Sequence, residues 1–213
     1  MYYNTVSLLL LSTLKKLMTA KVFSDFRLVG GTALSLQTGH RLSVDIDLFT
    51  DKKYGSVNFK TIDTYLRSEF KYVDTSNIEI EGMGRSWFVG KNKNNSVKLD
   101  VFYTDTFIRP VFNQDGIRMA DTEDIIAMKT DVIGRGGRKK DFWDIHELLE
   151  KFTIEKMILL HKERYPYSHS RKEIKAGFTD FSYADNDLDP VCVRNKYWEV
   201  IKLDILDAVK LLK

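Results

Sequence analysis

Two aspartates with one residue between them stand inside an otherwise apolar run, Val44-Asp45-Ile46-Asp47-Leu48-Phe49, and no other stretch restricts the fold as much. Strand side chains alternate faces. As a strand, this run turns Asp45 and Asp47 to one side and Val44, Ile46 and Leu48 to the other. The apolar three need a core to lie against. The two acids repel each other, and burial would drive their pKa values up, unless a cation lies between them. A divalent ion with oxygen ligands suits that place, magnesium first. Asp-x-Asp on an edge strand can also be a solvated face, so the flanking residues have to decide.

Upstream, a short strand over 26–29 ends in Gly30-Gly31, and a helix follows from Thr32. Backbone N–H groups at a glycine turn that opens a helix form an anion site. Gly30, Gly31 and Thr32 are therefore the candidate phosphate cradle. Its position just ahead of paired carboxylates suits a triphosphate held together with its metal.

Gly30-Gly31-Thr32-Ala33-Leu34, then Arg41-x-Ser43-x-Asp45-Ile46-Asp47-Leu48-Phe49, resembles the first motif of the AbiEii/AbiGii-type nucleotidyltransferase toxins, a group of the polymerase-β-like nucleotidyltransferase superfamily. The Thr-Ala-Leu and Arg-x-Ser decorations narrow the superfamily pattern to this group. The resemblance implies that Arg41 and Ser43 shape the nucleotide end of the site; a surface arginine holding the loop is the other reading of Arg41. A later segment is similar as well. A helix carrying Lys129 is followed by Arg135-Gly136-Gly137-Arg138-Lys139-Lys140-Asp141-Phe142-Trp143-Asp144, a basic loop ending in Lys-Asp-x-x-Asp. By the resemblance, Lys129 contacts nucleotide phosphates and Asp141, or Asp144 on the same helical face, belongs to the active site. Asp141 is the stronger candidate because it directly follows the basic pair, with Asp144 orienting the loop. Physically, Arg135, Arg138, Lys139 and Lys140 would repel one another without phosphate or carboxylate partners. A solvated basic loop is the alternative.

The superfamily has a third acid on a later strand. Between 71 and 103 the pattern breaks into short alternating segments, 71–73, 77–80, 85–89 and 97–102, with turns at 82–84 and 91–95, as in an antiparallel meander. In the last segment Val97, Leu99 and Val101 share one face and Lys98, Asp100 and Phe102 the other. If that strand lies beside 44–49, Asp100 completes a three-carboxylate cluster with Asp45 and Asp47, as magnesium ligand or as base for the attacking hydroxyl.

Apolar spacing predicts helices over 5–23, 57–70, 125–133, 154–164 and 195–213, and two further segments, one ending near Lys151 and one over about 171–176, also read as helices. Residues 104–121, with Pro110 and an Asp115-Gly116 turn, read as irregular and as a domain boundary. Asp121-Thr122-Glu123-Asp124 is an N-cap cluster. The acidic run Asp185, Asp187, Asp189 lacks the glycine and glutamate of a calcium loop and reads as a turn. The single cysteine, Cys192, allows no internal disulfide and no cysteine-rich zinc site, and four scattered histidines lack ligand spacing. The Leu8–Leu11 run has no basic residues before it, and no stretch is long enough to span a bilayer, so a cytoplasmic protein without membrane contact is expected. A net charge of +3 does not by itself indicate nucleic-acid binding.

The expected fold is thus α/β (α+β): a polymerase-β-like nucleotidyltransferase domain with a mixed sheet, residues 1–116, then a C-terminal helical domain, 117–213, lending its basic loop to the cleft. Gly30, Gly31 and Thr32 would cradle phosphates; Asp45, Asp47 and Asp100 would hold Mg2+; Lys129 and the segment Arg138, Lys140, Asp141 would hold the triphosphate tail. The resemblance implies transfer of a nucleoside monophosphate from a nucleoside triphosphate to an acceptor hydroxyl. It also implies the toxin of a bacterial toxin–antitoxin (abortive-infection-type) system with a separately encoded antitoxin, and RNA or tRNA as acceptor. A small-molecule (antibiotic-type) nucleotidyltransferase and a non-catalytic nucleotide-binding module are the alternatives.

Overall fold

The computed structural model describes residues 1–75 and 82–212. Helix α1 (Leu8–Thr19) is capped by Ser7, whose side chain accepts from the Leu10 N–H, and buries Leu10, Leu14, Leu17 and Met18. It is shorter than the apolar spacing suggests, because Ala20 is already extended. Strand β1 (Arg27–Leu28), helix α2 (Gly30–Thr38) and strand β2 (Asp45–Thr50) follow. Both glycines belong to α2, so the helix opens two residues before Thr32. Next come α3 (Phe59–Glu69) and β3 (Tyr72–Thr75), then β4 (Gly84–Asn92) and β5 (Asn95–Tyr103). The strand expected over 77–80 lies outside the described residues.

The segment expected to be irregular, 104–121, is so over 104–111 but not beyond. It adds β6 (Phe112–Gln114) and β7 (Ile117–Met119), a hairpin turned at Asp115-Gly116. Strands of three residues are too short to show alternation, which is why the pattern missed them. Ahead of the hairpin, the buried Asp124–Arg164 ion pair at 2.7 Å organises the loop: Asp124 accepts from the Ile108 and Arg109 N–H groups, and Arg164 donates to the Thr106 and Asp105 carbonyls.

Among the described residues the strands form one sheet, ordered β3-β4-β5-β2-β1-β7-β6. It is mixed: β2 runs parallel to β5 and β1 parallel to β7, and the other neighbours are antiparallel. Ile46 and Leu48 of β2 and Val97, Leu99 and Val101 of β5 are buried, so the faces fall as alternation requires. Val44 is the exception. It precedes the strand and is 73% exposed, so it anchors nothing.

The rest is helical: α4 (Thr122–Gly134), α5 (Lys139–Leu148), α6 (Ile154–Arg164), α7 (Arg171–Gly177) and α8 (Trp198–Lys210). Asp121 caps α4 through the Glu123 N–H. Helix α4 packs on α5, α6 and α7 and also on α2, which joins the helical layer to the sheet. No helix among the described residues is long and apolar enough to cross a membrane.

Candidate active site

Strand register decides the site. In the parallel pair β2–β5, Asp47 stands opposite Asp100 and Asp45 opposite Lys98. Three carboxylates from two strands therefore share one face. Burial, then the charges of Asp100 and Asp45, push the Asp47 carboxyl up to about 6. The Asp100 Oδ1 atom is buried without a hydrogen-bond partner, while its Oδ2 accepts from Lys98 Nζ at 2.6 Å. Among the described residues no group of three or more His, Cys, Asp or Glu side chains already converges as metal ligands.

The glycine turn abuts this cluster. Gly30 has φ +67°, and a Cβ there would come within 2.9 Å of Asp47 Oδ2, so glycine is required on two counts. The Val29 N–H is used by the Asp47 carbonyl at 2.9 Å. The N–H groups of Gly30, Gly31 and Thr32 head α2 without intrahelical acceptors, and among the described residues no side chain caps them. The Thr32 hydroxyl is occupied: it bonds Ser43 Oγ at 2.8 Å and the Asp45 carbonyl at 2.5 Å, tying α2 to the start of β2. The cradle at Thr32 is thus its backbone.

A second cluster backs the first. Arg41 is 4% exposed, so it is no surface arginine. Its guanidinium grips Asp144 with both arms, Nε to Oδ1 at 2.6 Å and Nη2 to Oδ2 at 2.9 Å. His40 Nε2 meets Asp144 Oδ1 at 2.7 Å. Lys129 Nζ lies 2.6 Å from Asp141 Oδ1 and 2.7 Å from Asp144 Oδ2. Burial would raise the Asp144 carboxyl, but Arg41 and Lys129 hold it well below the usual range. Burial likewise opposes Asp141, and Lys129 overrides it downward. The two cations are held above their ordinary values by these same acids, against the effect of burial. Lys129, expected at the phosphates, has its ammonium engaged by Asp141 and Asp144. Asp141 also accepts from the Arg138 N–H at the start of α5, which fixes where the basic loop ends.

Within that loop the cations divide. Arg135 pairs with Asp131 at 2.6 Å, Lys139 with Asp189 at 2.9 Å, and Arg138 more loosely with Asp141 at 3.6 Å. Lys140 has no ion-pair partner among the described residues, and burial, then Arg138 and Lys129, lower its pKa.

With this geometry in view, the comparisons identify the chain. The family described as nucleotidyl transferase AbiEii toxin, type IV TA system, matches residues 12–208. The chain belongs to that family. An uncharacterised protein of Aquifex aeolicus is 32% identical over 160 residues, 71% of this chain and 72% of its own length. A Helicobacter pylori structure, JHP933, superposes with a TM-score of 0.61 at 19% identity, covering 95% of this chain and 88% of that one. The nucleotidyltransferase toxin MenT4 of Mycobacterium tuberculosis gives a TM-score of 0.53 at 13% identity, covering 93% and 84%. The fold is that of the polymerase-β-like nucleotidyltransferases, and as an AbiEii-family member the protein is a nucleotidyltransferase that uses a nucleoside triphosphate.

Two residues at this AbiEii site escaped the sequence reading. His40 lacks ligand spacing to the other histidines, yet it directly precedes Arg41 and reaches the same Asp144. Lys98 shares the Asp100 face by alternation, and its contact with Asp100 needs only that spacing of two.

Proposed function

We propose that the protein is a magnesium-dependent nucleotidyltransferase moving a nucleoside monophosphate from a nucleoside triphosphate to an acceptor hydroxyl, with release of pyrophosphate and with RNA, tRNA included, as acceptor. It acts in the cytoplasm as the toxin of a toxin–antitoxin pair and is silenced by a separately encoded antitoxin. The observation that carries this reading is the register placing Asp100 opposite Asp47, with Asp45 on the same face and the open end of α2 against Asp47.

The residues fit a hard divalent cation. All donors are carboxylate oxygens, Asp47 is crowded by like charge, and Asp100 keeps a buried oxygen without a partner. When bound, the ion neutralises the triphosphate and the charge developing on the transferred group. Asp45 and Asp47 hold it, and Asp100 serves as third ligand or as base for the acceptor hydroxyl. The N–H groups of Gly30, Gly31 and Thr32 receive phosphate oxygens. Lys140 and Arg138 reach the triphosphate tail. Arg41, Lys129, Asp141 and Asp144 act behind them, fixing the first motif to the basic loop.

Incubation with labelled nucleotides, Mg2+ and total RNA tests the reading. Label in RNA, lost with Asp47→Ala, is expected. Label only in small molecules supports the antibiotic-type alternative, and no label with any nucleotide overturns the proposal. Growth arrest on expression, relieved by Asp47→Ala, tests the toxin role.

A further inference from the structure

Lys98 precedes Asp100 by two on β5, shares its face, and stands opposite Asp45 in register. Its Nζ donates to Asp100 Oδ2 at 2.6 Å. A divalent cation on the unpartnered Asp100 Oδ1 would lie one carboxylate's width from the Lys98 ammonium on Oδ2, and two cations that close in a partly dry cleft repel strongly. The Lys98 side chain is 39% exposed, so it has room to leave. The direction it would take is set by the sheet. The glycine turn lies on the β1–β2 side of the carboxylates, and β4 lies on the other side of β5. On β4, Ser86 stands opposite Asp100, and Phe88 stands opposite Lys98 with 47% of its surface exposed. A cation beside an exposed ring suits a phosphate and its neighbouring base.

We propose that Lys98 is a partner-exchanging cation: it neutralises Asp100 while no divalent ion is bound, and is released to a substrate phosphate on the β4 side of the cleft when Asp100 becomes a metal ligand. This rests on the metal-dependent reading above. The phosphate belongs to the acceptor strand or to the donor nucleotide; a position across Asp100 from the glycine turn favours the acceptor. The consequence is a pair of opposite effects from one substitution, which a purely structural lysine would not give.

The test compares the wild-type chain with Lys98→Met, and with Lys98→Gln should the first fold poorly by circular dichroism. Mn2+ alone, without nucleotide, is titrated by electron paramagnetic resonance. The variant is expected to bind it about five- to tenfold more tightly. Lys140→Met, which removes the same charge elsewhere in the cleft, is expected to give a smaller gain. At saturating Mg2+, a single-stranded oligoribonucleotide and a non-hydrolysable nucleoside triphosphate analogue are then bound separately. A loss of about fivefold or more for the RNA assigns Lys98 to the acceptor, and the same loss for the analogue alone assigns it to the donor. Unchanged Mn2+ affinity, a gain no larger than that of Lys140→Met, or unchanged binding of both phosphate ligands overturns the exchange. Should the wild-type protein bind Mn2+ and label RNA while Lys98→Met behaves identically, only the exchange falls. A wild-type protein that neither binds Mn2+ nor labels anything brings down the metal-dependent reading and the exchange together.

Discussion

Asp144 is fully buried and Asp47 half-buried, yet their surroundings push the two carboxylates in opposite directions. Asp144 meets Arg41, Lys129 and His40 at hydrogen-bond distance and is held well below its ordinary pKa. Asp47 faces Asp100 and Asp45 and is pushed up to about 6. Consecutive glycines touch both clusters: a Cβ on Gly30 would meet Asp47, and one on Gly31 would come within 2.3 Å of Arg41 Nη2. The lesson is that charge matching separates scaffold from site. Acids balanced by cations tie chain segments together, whereas acids left facing one another keep a place for a ligand charge.

The sharpest way to break that contrast is to neutralise each acid in turn. Asp144→Asn leaves buried Arg41 and Lys129 short of a carboxylate and should cost about 3–5 kcal/mol in urea unfolding. Asp47→Asn relieves repulsion, so its stability should match or exceed wild type while activity falls about a thousandfold. Equal destabilisation by both would end the distinction.

The pH dependence should differ in sign. The folded pKa of Asp47 is raised from 3.8 to about 6, so its favourable contribution is complete below about pH 4 and is lost as pH rises through 6. Asp144 is depressed, so its contribution is present above the ordinary carboxylate range and is lost as pH falls. The stability advantage of Asp47→Asn over wild type should therefore grow between pH 4 and pH 7, by on the order of 2 kcal/mol. Millimolar Mg2+ should raise the wild-type melting temperature above pH 6 and should do little for Asp47→Asn.

Smaller effects test the seam between the clusters. Gly30→Ala forces a side chain into φ +67° against Asp47 and should cost about 1–2 kcal/mol together with a loss of nucleotide affinity in calorimetry. Smallest of all, Lys140→Gln removes a half-buried cation that no carboxylate among the described residues pairs, so unfolding should shift by less than about 1 kcal/mol. The Michaelis constant for the triphosphate should nevertheless rise several-fold. A strong destabilisation instead would place Lys140 with the scaffold.

Much of this was legible beforehand. Alternation placed Asp45 with Asp47 and Lys98 with Asp100, and the caps and apolar stripes located the helices closely, α6 over the range expected. The β6–β7 hairpin was not legible, because three-residue strands carry no period and their pairing with β1 is remote in sequence. Arg41 could be read as a surface residue because its partner Asp144 lies 103 positions away. In the basic loop, four cations looked alike until the fold supplied carboxylates to three of them.

The order of residues alone was enough to say which way the side chains of β2 and β5 face, roughly where the helices lie, and that the pattern from Gly30 to Phe49 is the family's. Those properties follow from backbone geometry within a few residues. It took the packed fold to settle which charges are matched, that Asp100 lies across from Asp47, that Lys98 sits on Asp100, and that Lys140 has no ion-pair partner among the described residues. An acid's behaviour depends on which charges come within a few ångströms and how much water remains, and both are set by parts of the chain far apart in sequence.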